Sequence, residues 1–431
     1  MTRRLLDPPG RSASRRPFRL LLGVCTLATC GYSLLLSVVP LWVSTGGSGA
    51  FGAGVTTGVF MLTTVLTQLG VPWLLRRFGH RVVLAAGLAL LGAPTPLLTL
   101  SAELPPVLLL SALRGVGFGL FTVASGALVA ELVPPAEHGR STALFGLATG
   151  VPQLVLLPTG VGVVQHVGFA AVLVLAAVPL LGVPLLPFLR TTSGPRSAPV
   201  ASPPEPDPLA SPDLCASPGL VPPPAATMPP AATPSPAVAP TGSGARSRGS
   251  VGPVLAMLGC ATAQGALITF LPLAFAAPGV VVPVALFGTA GGALLGRVVA
   301  GHLVDRRGLG GRLLGPGVLI AVVGLLAEVL VAPAPSVGGA VLLASGAVLV
   351  GFGFGLVQND SMVALFAAAG AARYGRASAL WNIAFDAGTG AGAVGLGAVA
   401  ELFGFRVTFG AAALLLVLVL PFTRAGRPNR G

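Results

Sequence analysis

The chain has 431 residues, of which 54% are hydrophobic and only 9% are charged. So few charges leave too little polar surface to cover a water-soluble globule of this length, which excludes an ordinary soluble domain. The formal net charge of +13 would suit nucleic-acid binding, but basic residues beside apolar spans have a simpler explanation in membrane orientation. We therefore expect a membrane protein that contacts lipid and binds no nucleic acid.

Apolar runs long enough to cross a bilayer recur along the chain, and they predict an all-α membrane protein with twelve transmembrane helices. Because the runs are continuously apolar rather than alternating, helices are favoured over a barrel. Six predicted spans lie near residues 20–43, 52–74, 82–100, 106–130, 141–164 and 168–189. Six more lie near residues 251–276, 279–303, 313–332, 337–366, 377–400 and 405–422.

These spans divide the chain into five predicted segments. They are a cytoplasmic N-tail (1–19), a six-helix bundle (20–190), a cytoplasmic linker (191–250), a second six-helix bundle (251–422) and a cytoplasmic C-tail (423–431). The linker is rich in Pro, Ala and Ser and has few large apolar side chains. We therefore expect it to be a disordered or polyproline-rich connector.

All 25 basic residues are Arg, and their positions predict the orientation of the spans. With the N-terminus in the cytoplasm, 22 of them fall in cytoplasmic tails, cytoplasmic loops or the linker. Only Arg406 falls in an outer loop, and Arg114 and Arg297 lie within spans. This asymmetry predicts an even number of spans with both termini in the cytoplasm, in the cell (inner) membrane. The absence of Lys beside abundant Ala, Gly and Pro is typical of a high-GC bacterium.

The two bundles repeat each other in sequence. The stretch GRSTALF at residues 139–145 is echoed by GRASALW at residues 375–381, an offset of 236 residues. The same offset maps GFGL at residues 117–120 onto GFGL at residues 353–356. These matches indicate a tandem duplication. Two such halves predict a substrate site between them that is exposed to each side of the membrane in turn as the halves rock.

The loop after the eighth span reads GHLVDRRG at residues 301–308. It resembles the cytoplasmic loop signature of the major facilitator superfamily, which is glycine, three residues, aspartate, arginine, one residue and glycine. The resemblance covers the chain outside the linker and tails, and it implies the fold of that family and a drug or small-molecule efflux transporter. We expect a monomer that is not an enzyme and has no cofactor. No phosphate-binding Gly-Lys-Ser or Gly-Lys-Thr loop is present, so no ATP motor is expected.

The same loop predicts a conformational latch that opens when the halves rock. Asp305 can accept hydrogen bonds from a helix N-terminus, for which we expect the one near Arg140. The predicted latch residues are Gly301, Asp305, Arg306, Gly308, Arg297 and Arg140. Positive-inside anchoring alone would explain the Arg residues but not the aspartate. The first-half copy has Pro72 and Arg76 in place of the glycine and aspartate, so its latch is weakened or absent.

Ionisable residues inside spans are functional candidates, because each costs about 2.5 to 3.5 kcal/mol at a helix centre on insertion scales. Asp386 lies near the middle of span eleven with Asn382 one turn earlier, and we expect it to carry a proton; the alternative is a structural carboxylate bonded to a neighbouring helix. Arg114 in span four can bind an anionic group or act on a nearby acid. Together with the glycines that follow it, Arg114 resembles a motif of proton-coupled family members. The alternative is snorkelling to the outer interface.

Other polar residues inside the spans are candidates for lining the cavity. They are Tyr32, Gln153, Gln264, Gln358, Asn359 and Asp360. The last three fall toward the cytoplasmic end of span ten, where gating or packing is the favoured alternative. Glu328 is expected near the outer surface. The four Cys have no metal-site spacing, and no metal ion is predicted.

These features predict a secondary active transporter that works by alternating access. We expect proton-coupled export, as an antiporter, of a small amphipathic molecule such as a drug or natural product. One alternative is a proton symporter for nutrient uptake, which should place more hydrogen-bonding residues on the cavity helices. The other is a non-transporting receptor or membrane enzyme, which should cluster His, Asp or Ser at one membrane face, whereas the four His are scattered.

Overall fold

The computed structural model describes residues 11–132, 138–189, 243–275, 279–331, 337–369 and 374–424. They form α-helices, two 3-10 helices (Leu98–Leu100 and Val178–Phe188) and short turns, so this part of the chain confirms the all-α prediction. The first half contains α1 (Arg11–Leu35), α2 (Val38–Thr45), α3 (Ala50–Gly92), α4 (Pro94–Leu97), α5 (Leu104–Leu132), α6 (His138–Val167) and α7 (Phe169–Leu175). The second half contains α8 (Ser243–Ala274), α9 (Val281–Arg307), α10 (Leu314–Val331), α11 (Val337–Ala369) and α12 (Tyr374–Arg424).

Ten helical stretches within the described ranges are long and apolar enough to cross a membrane. Two of them, Ala50–Leu100 and Arg376–Thr423, have 51 and 48 residues, whereas one crossing needs about 20. Each consists of two helices joined at a kink, at Gly79 and Gly404, where φ is 76° and 79°. Glycine adopts such angles without the steric penalty that a Cβ imposes. The count of twelve crossings stays a prediction, which these two kinks support.

The helices extend beyond the predicted spans at the linker and at the N-tail. Helix α8 begins at Ser243, inside the predicted linker, and α1 begins at Arg11, inside the predicted N-tail. Hydropathy detects only the part of a helix that lies in hydrocarbon, so polar first turns escape it. The rest of the predicted linker, residues 191–242, lies outside the described residues, so its expected disorder stays a prediction.

Prolines shape the sixth predicted span. It consists of α7 followed by the 3-10 helix Val178–Phe188, which contains Pro179, Pro184 and Pro187. Each proline lacks an N–H group and clashes with the carbonyl four residues earlier, so a regular α-helix cannot continue. The tighter 3-10 pattern keeps the chain helical through this run.

The sequence repeat is also a repeat of helix packing. In α5, a Cβ on Gly117 would overlap backbone atoms of α3 at Gly87. In α11, a Cβ on Gly353 would overlap backbone atoms of α10 at Gly317. The duplicated GFGL sequence thus makes the same close helix contact in both halves, because glycine alone allows two backbones to approach this closely.

Residues 1–191 and 244–431 form one compact unit. Within it, large clusters of buried apolar side chains pack the helices of each half together and pack the two halves against each other. One cluster contains side chains of both halves, and we call it the outer cluster. Its buried members include Val38, Leu157, Ile268, Val282 and Leu343. They lie in the part of each helix that the Arg pattern assigns to the outer side. The halves therefore pack against each other at their predicted outer ends.

Candidate functional site

One buried hydrogen bond joins α3 of the first half to α12 of the second. Gln68 Nε2 donates to Asp386 Oδ2 over 2.7 Å, and the exposed fractions of the two side chains are 7% and 2%. A carboxylate buried to this degree needs a hydrogen-bond donor, because an unpaired buried charge is costly. The structure thus places the predicted proton carrier in contact with the opposite half.

Arg114 is buried beside aromatic rings of the first half. Its side chain is 4% exposed, and its guanidinium carbon lies 5.4 Å from the centroid of the Phe60 ring. Tyr32 stacks on Phe118 with ring centroids 4.3 Å apart. A cation over a ring face recovers part of the solvation that burial removes. Burial of the whole side chain argues against the snorkelling alternative.

These residues form one electrostatic neighbourhood, although they come from different helices. Tyr32 of α1 lies near both Arg114 of α5 and Asp386 of α12. We call Tyr32, Gln68, Arg114 and Asp386 the central site. It contains one cation and one carboxylate, and it spans both halves of the chain.

A small cavity opens beside Arg114. Its volume is about 20 Å³, and its lining includes Tyr32, Thr56, Phe60, Ser111 and Arg114. Ser111 is 1% exposed, and its Oγ has no hydrogen-bond partner among the described residues. The cavity therefore has an aromatic wall and a polar wall.

The glycines after Arg114 have a structural role that does not depend on the arginine. A Cβ on Gly115 would overlap the backbone of α3, and a Cβ on Gly351, its equivalent in α11, would overlap the backbone of α9. At the offset of 236 residues, Arg114 corresponds to Val350. Both halves thus use the glycine pattern for packing, and only the first half adds a cation to it.

The predicted cytoplasmic latch is not seen in its expected form. Asp305 is exposed and accepts no hydrogen bond from the residues that the structure describes. A Cβ on Gly301 would meet no atom within 4 Å, so this glycine makes no close helix contact here, contrary to expectation. Gly308 adopts φ 60° and ends α9 as a left-handed cap. The side chain of Arg140 lies outside the described residues, so the latch stays a prediction.

The next residues to consider are Asp360 and the two other latch arginines, Arg306 and Arg297. Asp360 accepts hydrogen bonds from the backbone N–H groups of Gly311, Leu313 and Leu314 at 2.7, 2.8 and 3.1 Å. This fully buried carboxylate caps the start of α10 within the second half, a packing contact of the kind expected as the alternative to cavity lining. Arg306 is exposed. Arg297 is half-buried, and its Nε has no partner in the described part of the chain.

The remaining polar candidates divide into bonded and unbonded side chains. Gln264 and Thr289 exchange two hydrogen bonds at 3.0 and 3.3 Å, which join α8 to α9. Asn382 donates to the carbonyl of Ser378 in its own helix at 2.8 Å, so it does not contact Asp386 through its amide nitrogen. Gln358 is buried with Oε1 unpartnered in the described chain. Gln153 and Asn359 are half-buried.

Glu328 is buried against a neighbouring helix. Its side chain is 0% exposed, and neither carboxylate oxygen has a partner among the described residues. It lies against Gly346 of α11. Composition alone does not show which face of a uniformly apolar helix turns toward its neighbour, so the sequence did not predict this contact, and the expected depth near the outer surface stays a prediction.

A second polar contact between the halves was missed from the sequence. Glu401 Oε2, near the end of the first helix within α12, accepts hydrogen bonds from the N–H groups of Ala50 and Phe51 at 2.7 and 3.2 Å. These groups begin α3, where free N–H donors and the helix dipole favour a negative charge. In the sequence, Glu401 looks like an ordinary charge at a helix end, so nothing singled it out. Gln68 is an amide in an apolar run, and this unusual setting could have singled it out.

A larger groove lies elsewhere in the described chain and is almost wholly apolar. It runs between α6 and α9, with Val155, Pro158, Val284 and Phe287 among its lining residues and His166 at its rim. It lacks acidic and permanently charged groups, so the central site is the better candidate for coupling chemistry. No group of three or more metal-binding side chains occurs within the described ranges.

Comparison with known proteins gives a consistent family. The family model described as Major Facilitator Superfamily matches residues 20–371. None of the curated proteins matches the chain in sequence. Among solved structures, a bacterial homolog of the human lysosomal transporter Spinster superposes with a TM-score of 0.70 at 16% identity, covering 99% of this chain and 100% of that one.

Two further transporters have the same fold. The nucleoside transporter NupG gives a TM-score of 0.67 at 12% identity, with 96% of this chain and 100% of that chain covered. The peptide transporter POT gives 0.69 at 17% identity, with 95% of both chains covered. At such identities the likeness concerns the fold and not the substrate.

Proposed function

The chain belongs to the major facilitator superfamily, and we propose that it is a proton-coupled exporter of small amphipathic molecules. As a member of that family it is a secondary transporter rather than an enzyme. The proposed coupling, direction and substrate rest on the central site and on the contacts between the halves.

The hydrogen bond between Gln68 and Asp386 is the observation that carries the coupling proposal. An ionised carboxylate only accepts hydrogen bonds, whereas a protonated one has an O–H that donates. Protonation of Asp386 therefore weakens its attraction for the amide N–H of Gln68 on the opposite half. The contact between the halves then depends on whether the proton is bound, which is what a proton-driven rocking mechanism requires.

The contacts between the halves support a conformation that is closed on the outer side. Besides the outer cluster, Ser37 Oγ donates to the carbonyl of Ile268 at 3.0 Å, and Glu401 caps α3. All of these residues lie in the half of the membrane that the Arg pattern assigns to the outside. In this proposal the central site is reached from the cytoplasm, the side from which an exporter loads its substrate.

Export is favoured by the composition of the cavity. Its wall around Arg114 includes Leu35, Leu36, Val39 and Phe60, which suits a molecule with an apolar body. The second candidate function is proton symport for uptake. The buried Arg114 favours it, because a cation in the cavity wall can hold an anionic nutrient.

The test is transport of ethidium, a permanent amphipathic cation, into energised inside-out vesicles that contain the full chain. Asp386→Asn keeps the size and hydrogen-bonding capacity of the side chain but cannot carry a proton. We expect uptake to fall about tenfold or more, to the level seen after a protonophore is added to the wild type. Glu103→Gln, which neutralises an exposed acid at the start of α5, should transport normally. Equal, protonophore-insensitive uptake by wild type and Asp386→Asn would remove the coupling proposal.

A further inference from the structure

The charge of Arg114 is unbalanced by any hydrogen-bonded acid in the described chain. Its Nε has no partner, and the ion pair found within these ranges joins His80 and Glu131 instead. Asp386 is close enough to act on Tyr32 electrostatically, but its Oδ2 is engaged with Gln68. A buried cation without a bonded counter-charge is costly, so its retention calls for a partner that comes from outside the chain.

A second polar group without a partner faces the same cavity. Ser111 precedes Arg114 by three residues on α5, which puts both side chains on one face of the helix. Its Oγ is buried and makes no hydrogen bond to the described residues. A hydroxyl and a guanidinium together offer several donors to one anionic group, and guanidinium geometry matches carboxylate, sulfonate or phosphate oxygens.

The fold itself does not require the arginine. The equivalent position of the second half is Val350. The glycine that follows this position, Gly115 in the first half and Gly351 in the second, makes the same kind of close helix contact. Packing of α5 therefore explains the glycines but not the cation. The donors are an addition to a scaffold that is complete without them.

We propose that the cavity beside Arg114 binds the anionic group of an amphipathic molecule, with Arg114 and Ser111 as donors and Phe60 against its apolar part. This proposal names a substrate class for the carrier proposed above and rests on it, but not on the direction of transport. The cavity itself has a volume of about 20 Å³, which is room for about one water molecule. In this closed form it admits only an oxygen of the anionic group, and the rest of the molecule must lie in the space that opens between the halves.

The test is thermal unfolding of the purified full chain in nanodiscs with three naphthalene probes that differ in charge. The anionic probe is 1-naphthalenesulfonate, the neutral one is 1-naphthalenemethanol, and the cationic one is (1-naphthylmethyl)trimethylammonium. We expect the sulfonate, but not the neutral probe, to raise the Tm by a few degrees through Arg114, because ligands that bind only the folded state stabilise it. Arg114→Gln should abolish this rise, and Arg406→Gln, which removes an exposed cation, should retain it.

Two milder variants keep the proposal testable if Arg114→Gln does not fold. Arg114→Lys keeps the charge but loses the forked donor geometry, and Ser111→Ala removes one donor. We expect the sulfonate Kd to rise about tenfold and about threefold in these variants. The proposal is overturned if the sulfonate stabilises wild type and all Arg114 variants equally, if the neutral probe stabilises as much as the anionic one, or if no anion stabilises the wild type.

An anionic lipid head group offers the same chemistry as a small organic anion, and a second arm separates these sources. Nanodiscs of phosphatidylcholine alone are compared with nanodiscs that contain phosphatidylglycerol. An Arg114-dependent rise that needs only phosphatidylglycerol would identify the bound anion as a lipid head group. Binding is measured without a proton gradient, so loss of sulfonate binding with intact proton-driven transport defeats this inference alone. Intact binding with gradient-independent transport defeats the coupling proposal alone.

Discussion

At the scale of single residues, Arg114 combines a cost to stability with an inferred role in binding. Its buried guanidinium has a ring face but no hydrogen-bonded acid near it. Replacement of a buried charge by an apolar side chain of similar size is often stabilising by about 1 to 4 kcal/mol. Because no bonded acid would be left unpaired, the usual penalty for breaking a buried ion pair is absent here.

We therefore predict that Arg114→Met raises the free energy of unfolding of the ligand-free protein by about 1 to 2 kcal/mol, after the lost cation–ring contact is subtracted. The measurement is reversible denaturation in detergent micelles. Arg406→Met removes a cation that is already in solvent and should change little. A clear loss of stability in Arg114→Met would mean that the guanidinium has a structural partner, contrary to the geometry described above.

The sequence was a good guide to which residues are unusual and a poor guide to what they contact. Asp386 and Arg114 are visible as charges in apolar runs, and both lie in the central site. Gln68 is equally visible but was passed over, because an amide is less costly in a membrane than a charge. The contacts of Asp360 and Glu328 could not be predicted, because a helix that is apolar all round gives no periodic signal for its buried face.

At the scale of helices, the interface between α3 and α12 closes the predicted outer side. A Cβ on Gly54 would overlap the carbonyl oxygen of Ala393, and a Cβ on Gly58 would overlap Val394. Glu401 then fastens the end of this interface to the first turn of α3. Two backbones this close leave no room for an added methyl group, so close packing of this interface depends on glycine.

We predict that Gly54→Ala shifts the protein toward a conformation that is open on the outer side. The readout is maleimide labelling of Ser37→Cys in a background without the native cysteines. Ser37 is fully buried and bonded across the halves when the outer side is closed. A cost of about 1.4 kcal/mol to the closed state would raise the labelling rate about tenfold if the closed state dominates.

The matched control for that variant is Gly70→Ala in the same helix. A Cβ on Gly70 would meet no atom within 4 Å, and both substitutions favour the helix equally through propensity. Gly70→Ala should label like the parent. Equal labelling rates in all three proteins would show that the glycine contact does not hold the outer side closed.

The sequence predicted which stretches are helical more reliably than where each helix begins and ends. The apolar runs gave the spans, and the duplicated GFGL gave two equivalent helix contacts. The break between α1 and α2 and the 3-10 turn after α7 depend on how proline is accommodated by neighbouring helices, which hydropathy does not contain. The added polar turns at Ser243 and Arg11 were missed because hydropathy detects only the part of a helix that lies in hydrocarbon.

At the scale of the whole molecule, the two halves share a scaffold and differ in chemistry. At the offset of 236 residues Asp386 corresponds to Gly150, and at the offset that aligns Arg76 with Asp305, Gln68 corresponds to Arg297. The hydrogen bond between Gln68 and Asp386 therefore has no counterpart in the other pair of interface helices. Duplication explains the architecture, and the differences in sequence between the halves explain why this hydrogen bond occurs at one interface only.

The charges of the central site predict how the movement of a substrate is coupled to that of a proton. Two negative charges beside Arg114 would repel each other. The favoured arrangement therefore has one at a time, either ionised Asp386 or a bound anion. An anionic molecule should therefore bind with a protonated Asp386 and travel in the same direction as the proton. A cationic molecule is attracted by ionised Asp386 and competes with the proton, so the two should be exchanged.

Proteoliposomes that contain a trapped pH dye distinguish these modes. Added 1-naphthalenesulfonate should acidify the lumen, and added ethidium should make it more alkaline, because both probes are permanently charged and enter only through the protein. Arg114→Gln should abolish the first signal and spare the second, whereas Asp386→Asn should abolish both. If both probes made the lumen alkaline, co-transport of anions with protons would be wrong, and if both acidified it, export by exchange would be wrong. The direction of the pH change in the lumen thus shows, for each class of molecule, whether it is exchanged with protons or transported together with them.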